Sequence, residues 1–231
     1  MKRFYKAISV GAHDGGYQVL LDGRAVKTVG ARPQLVPTRS LAEAMAAEWA
    51  GQGDELSVAA FLLRDLADFA IDVVAPDRSR AIAELLPYSE TDTLCYRAEP
   101  DEPLAVRQHA EWEPLLEQAE ARYAVQFVRV AGIIHRPQPL ATRARLGEEL
   151  AALDSFALAA LRNTAALTAS LILGLAALDP AADLDALWVA SNLEEDWQIE
   201  QWGQDDQAVA RQVRRCASFG AAAQFSWLSR E

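Results

Sequence analysis

The stretch Asn192 to Asp206 constrains the fold more than any other part of this chain. It lies in a longer helical pattern beginning near Asp183. At ~100° per residue, Leu184, Leu187, Trp188, Ser191, Glu195, Gln198, Ile199 and Trp202 share one face, while Val189, Leu193, Trp197 and Glu200 collect opposite. A helix with apolar surface in two directions belongs in the middle of a domain, and this one sets a carboxylate among the large side chains on each face. A carboxylate withdrawn from water needs a cation or hydrogen-bond donors, since leaving it bare costs several kcal/mol, roughly. Two arrangements satisfy that need. Either Glu195 or Glu200 pairs internally with Arg211, Arg214 or Arg215 of the following segment, or it waits near the surface for a partner's cation or amide.

With 231 residues and 51% hydrophobic content, the chain is long enough for one large domain or two modest ones. Its formal charge of −11 opposes binding to nucleic acid, which is not expected as a partner. Cys95 and Cys216 are far apart and suit small buried thiols in a reducing compartment. His13, His109 and His135 are scattered, so no metal or other cofactor is expected. Ala165 to Leu178, the most apolar run, is shorter than the ~20 residues that span a bilayer and reads as a buried helix, without membrane insertion. The first residues resemble neither a secretory signal nor a transit peptide, which leads to the expectation of a cytoplasmic, bacterial-type chain.

Strand signals dominate the beginning. Phe4 to Val10 is β-rich, and Tyr17 to Leu21 and Arg24 to Thr28 flank Asp22-Gly23, the pair that favours a type I′ hairpin. Gln34 to Val36 adds a short strand. A helix then follows, capped by Thr38 or Ser40, with Leu41, Met45 and Trp49 on its buried face. Leu62, Leu66, Phe69 and Val73 fit one face of a further helix, and Asp77 to Leu86 form another before Pro87. Beyond Pro87 the pattern is mostly helical. Pro114 is expected to divide a helix over Leu104 to Tyr123, Val125 to Val130 and Ile133 to His135 look extended, and helices follow over Leu140 to Leu153, Ser155 to Leu161 and Thr164 to Leu178. Gly174 would let a neighbouring helix approach. Asp205 is a candidate cap for the last helix, whose stripe reads Val209, Val213, Cys216, Gly220 and Trp227. The expected architecture is α+β, with a small β-containing N-terminal domain over residues 1–87 and a larger, mostly α-helical C-terminal domain over 88–231.

Catalytic signatures are absent: Gly11 to Gly16 lacks the spacing of a phosphate loop, and neither a nucleophile elbow nor a metal-binding His-Glu-x-x-His helix occurs. Glu195 and Glu200 project roughly 140° apart on an ideal helix, so they cannot flank one bond. Several Trp residues near the C-terminus fit recognition better than turnover, because Trp is enriched at interface hot spots; of Trp188, Trp197, Trp202 and Trp227, any can also be core, Trp188 reads as core, and Trp197 and Trp202 are open to either place.

The motifs themselves point to a family. Trp197-Gln198-Ile199-Glu200-Gln201-Trp202-Gly203 with Asp205, preceded in order by Arg3-Phe4-Tyr5-Lys6, Leu21-Asp22-Gly23-Arg24, Lys27-Thr28, Leu35-Val36-Pro37-Thr38, Glu48-Trp49, Ala70-Ile71-Asp72 and Tyr96-Arg97-Ala98, resembles the ATP-twelve chaperone family. Val29 stands where that family usually has proline, and Phe61-Leu62-Leu63-Arg64 replaces a Met-Pro-Leu-Thr-like segment. The resemblance implies a monomeric chaperone that binds the unassembled alpha subunit of F-type ATP synthase and hydrolyses no ATP. Glu200, Glu195, Trp197, Gln198, Trp202, Gly203 and Asp205 are the candidate partner-binding residues. The alternative is an enzyme with an acid-based site in an interdomain cleft.

Overall fold

The structure, a computed structural model, describes residues 1–13, 15–204 and 206–231. It is an α+β fold, with a small β region at the N-terminus followed by a helical region. The sheet runs β1 (Ile8–His13), β2 (Gly16–Leu21), β3 (Arg24–Ala25), antiparallel throughout, with Ile8 opposite Leu21 and Leu20 opposite Ala25. Asp22 and Gly23 turn β2 into β3 with φ of 49° and 78°, both left-handed as a type I′ turn requires. Asp22 has a second role. Its carboxylate accepts the N–H groups of Ala7 at 2.7 Å and Lys6 at 3.1 Å, which holds it below the usual carboxylate range. Those donors are thereby withdrawn from strand pairing, so β1 starts at Ile8 and not at Phe4.

α1 (Arg39–Ala50) covers the sheet with Leu41, Ala42, Met45 and Trp49. Thr38 supplies the cap, accepting the Leu41 N–H at 3.2 Å. The carboxylate of Glu48 then caps α2 (Leu62–Phe69) from outside, accepting the N–H groups of Leu63 at 2.6 Å and Arg64 at 3.0 Å. α2 continues into one π turn over Ala70–Val74, closed by Ala75 N–H to Ala70 O at 2.8 Å. The buried face already differs from the expected one at Leu63, before that turn, so it is set by which side of α2 meets the core. The predicted stripe of Leu62, Leu66, Phe69 and Val73 is replaced by Leu63, Leu66, Ala70 and Val74, and Val73 is left 50% exposed.

α3 (Arg78–Leu85) follows, capped by Asp77. Next come β4 (Tyr96–Arg97), α4 (Pro103–Tyr123) and β5 (Val130–Ala131), with the two short strands parallel. Pro114 does not divide α4: it sits at an exposed position, where the carbonyl one turn earlier faces solvent, while Trp112 and Leu116 on the other side are fully buried. Ile133 and Ile134 form no strand and are exposed.

α5 (Leu140–Ala152) leads to α6 (Ser155–Thr168) and α7 (Leu171–Ala177). The break predicted at Arg162-Asn163 falls instead at Ala169-Ser170. Ala169 adopts a left-handed φ of 50°, and the Ser170 hydroxyl caps α7 through the Leu173 N–H at 3.0 Å. Gly174 performs the expected service, since a Cβ there would meet Ala165 N and Leu161 Cδ1 of α6 at 3.0 Å.

α8 (Leu184–Trp202) and α9 (Asp206–Leu228) complete the chain. α9 buries Phe219, Ala222, Ala223 and Phe225 against α6 and α2, and Phe225 stacks on Phe156. Its last turn reaches the N-terminal part, where the Thr38 hydroxyl donates to the Leu228 carbonyl. One cluster of buried apolar residues runs from Tyr5 to Phe225. Among the described residues, no helix is long and apolar enough to cross a membrane.

Candidate functional site

α8 is two different helices joined end to end. Asp183 caps it through the Ala186 N–H at 3.0 Å, and its first half buries Leu187, Trp188, Ala190, Asn192 and Leu193. Trp188 lies 5.5 Å from Phe219, and the Trp112 indole N–H donates to the Ala190 carbonyl at 2.8 Å. Asn192 is tied back to Trp188 O at 2.7 Å. From residue 194 onward, none of the α8 side chains is buried. The expectation of a central helix holds for the first half only, because α4, α7 and α9 cover that half and only flank the rest.

The exposed half carries an acidic series whose members are each held differently. Glu194 accepts from the buried Gln108 of α4 at 2.7 Å, and desolvation beside that helix raises its carboxyl while the hydrogen bond pulls it down. Glu195 lies 3.7 Å from the Arg215 guanidinium of α9, which also donates to the Leu167 carbonyl at 2.8 Å and lies 5.7 Å from the Trp188 ring. Internal pairing with that segment, one of the two arrangements open from the sequence, is therefore what Glu195 adopts. Desolvation likewise raises the Asp196 carboxyl.

Glu200 is paired as well, though not with the arginines near it in sequence. Arg107 of α4 donates from Nη1 to both carboxylate oxygens at 2.8 Å. The same guanidinium lies 5.9 Å from the Trp197 ring centroid. The side chains are 36% and 50% exposed, which makes this a surface bridge worth about 0–1 kcal/mol. Such a pair exchanges readily for another cation or carboxylate.

Trp202 ends the helix 80% exposed, Gln198 is exposed, and Trp197 is half-buried. Gly203 leaves the helix at φ 80°, ψ 176°, a region open essentially to glycine alone, with its N–H on Ile199 O at 2.7 Å. Asp205 lies outside the described residues. Across the turn, Val209 and Val213 of α9 are 44% and 63% exposed, so the predicted apolar stripe of α9 is open to solvent at its start and packs against the core from Cys216 onward. α8 and α9 thus present a pair of helical arms bearing exposed apolar groups, an acidic row and one exchangeable ion pair.

The structure brings Glu200 and Trp197 together around Arg107 and leaves Trp202 and Gln198 free in solvent. Sequence reasoning missed Arg107 and Gln108, which lie 93 and 86 residues from their partners with no local pattern to mark them.

Known proteins agree with this architecture. The family described as ATP12 chaperone protein matches residues 2–120. Protein atp12, mitochondrial, of Schizosaccharomyces pombe is 27% identical over 218 residues, covering 87% of this chain and 74% of that one. The crystal structure of Atp12 from Paracoccus denitrificans is 35% identical and superposes with a TM-score of 0.92 over 99% of this chain and 98% of its own. A crystal structure from Agrobacterium tumefaciens is 34% identical with a TM-score of 0.93, over 98% and 85% of the two chains. With more than half of its residues matched to the family, and the fold shared from end to end, this chain belongs to the ATP12 chaperone family.

Proposed function

We propose that the chain binds the unassembled alpha subunit of F-type ATP synthase and shields it from aggregation until the catalytic head assembles. The observation that carries this reading is the partly exposed second half of α8, with Trp202 80% exposed and Arg107–Glu200 an exchangeable pair at the surface. A lone alpha subunit exposes an apolar seam meant for another subunit, and seams of that size aggregate. Trp197, Gln198 and Trp202 cover it, Glu200 takes a client cation or amide in exchange for Arg107, and Glu195 adds to the acidic field. Gly203 shapes the turn, and Asp205 belongs to the same partner-binding set. The chain acts as a monomer in the bacterial cytoplasm, neither binds nor hydrolyses ATP, and is not an enzyme. Residues 1–87 and 88–231 serve as its two architectural domains.

Moderate affinity is built into this arrangement, because a partner gains little from an ion pair that merely replaces another at the surface. Mixing the chain with purified alpha subunit and separating the species by size-exclusion chromatography tests the reading. A one-to-one complex is expected, and Glu200→Lys weakens it while leaving the circular dichroism and melting temperature of the free chain unchanged. No complex with the parent chain, or one that Glu200→Lys leaves intact, would count against it.

A further inference from the structure

An open groove of about 690 Å³ on the sheet side of the molecule has no part in the reading above. Phe4, Arg24, Lys27, Val29, Trp49 and Arg64 are among its lining residues. Phe4 is 63% and Val29 86% exposed, an uncommon placement for two large apolar side chains on one groove. The two acids that also line it are occupied by the chain itself: Asp22 by the N–H groups of Lys6 and Ala7, Asp68 by the Val29 N–H at 3.2 Å and the Gln34 amide at 2.5 Å. Arg64 is paired with Asp65 at 2.6 Å and lies 4.2 Å from the Phe61 ring centroid. Arg24 and Lys27, in contrast, form no ion pair among the described residues.

Two independent observations say what such a groove would take. The first is charge. Residues 1–40 hold seven Lys and Arg against two Asp, a net +5 within a chain of −11, and all three lysines of the protein lie in its first 27 residues. The second is the apolar rim, where Phe4 and Val29 stand exposed with no core to join.

We propose that this groove is a second docking surface, for an extended acidic segment of a partner polypeptide. Carboxylates of that segment face Arg24 and Lys27, and its apolar side chains lie on Phe4 and Val29. The proposal rests on the reading above only in assigning the segment to the captured client. Held between a basic groove at one site and the acidic row of α8 at the other, a client would dock in a single orientation. Nucleic acid would engage the two cations but leave the apolar rim unexplained, and an anionic membrane would not fit an open groove as an extended segment does.

The test uses the full chain and a fluorescein-labelled twelve-residue peptide of alternating Glu and Val. Binding is expected to weaken with salt, to vanish for the same peptide with Lys in place of Glu, and to shift the Trp49 indole N–H resonance. The double variant Arg24→Glu with Lys27→Glu should lose at least tenfold in affinity with an unchanged melting temperature. Equal binding by that variant, no binding by the parent, or tighter binding to an oligonucleotide or to phosphatidylserine vesicles overturns the proposal. Purified alpha subunit forms a separate arm. Capture of alpha without peptide binding sinks the groove alone, whereas peptide binding without capture of alpha sinks the assignment of the client and leaves the groove standing.

Discussion

Replacing Trp202 by alanine probes the exposed arm of α8 with the least damage to the fold. An indole contributes about 150–250 Å² to a contact, and at 80% exposure about 120–200 Å² of it remains for a partner to cover. At about 25 cal/mol per Å², that coverage amounts to about 3–5 kcal/mol before the cost of ordering the interface. A loss of about 2–3 kcal/mol is the reasonable net, in the range of interface hot spots, and it weakens the alpha-subunit complex about 30- to 150-fold. The free chain should hardly notice. An exposed terminal residue with no burial to lose changes stability by less than about 0.5 kcal/mol, or about 2 °C in a chain of this size. Titration calorimetry against purified alpha subunit, with a thermal melt of each free chain, measures both quantities. An affinity within threefold of the parent would refute the placement of Trp202 in the interface, and a large fall in melting temperature would refute its exposure.

Arg107→Ala removes the internal competitor for Glu200. Client affinity is expected to rise a few-fold, up to about 1 kcal/mol, and a loss instead would identify Arg107 as the contact. Gly174→Ala forces a methyl against α6 where contacts are already at 3.0 Å, so overpacking should cost about 1–3 kcal/mol and lower the melting temperature by roughly 2–10 °C; an unchanged melt would mean that the two helices part without strain. Asp92 is fully buried, accepts the N–H groups of Leu94 and Ile172, and is pushed up to about 6 by desolvation. Its folded form binds a proton more tightly than the unfolded chain, so its contribution to stability falls as pH rises from about 4 to about 6 and is level above that. By about 1.36 kcal/mol per pH unit the fall is about 3 kcal/mol, read as the difference between the parent and Asp92→Asn in urea melts at several pH values. A difference independent of pH would place the Asp92 titration elsewhere.

What could be read from the sequence was local chemistry. Asp22-Gly23 has one comfortable way to join two strands, and Thr38 caps the helix that follows it because a short oxygen-bearing side chain there has a neighbouring N–H to satisfy. Gly174 was legible for a similar reason: an all-round apolar helix with one glycine needs a close neighbour. What escaped was set by distant packing. Leu62 and Leu63 are the same residue type, and only the neighbours of α2 decide which of them is buried. Ala169 in a left-handed cap looks like any other alanine in a helical run. Periodicity placed Val209 and Val213 on an apolar stripe correctly, and it could not say whether anything covers that stripe. At the candidate site the acids and indoles were legible as a motif. Arg107 was not, since an ion pair across 93 residues exists only once α4 lies beside α8.

Hydroxyl-radical footprinting of the chain with and without purified alpha subunit tests the central claim most directly. Trp202 should oxidise fast in the free chain and be strongly protected in the complex, with weaker protection at Trp197 and none at the buried Trp112. A complex in which Trp202 oxidises as fast as in the free chain would contradict the account.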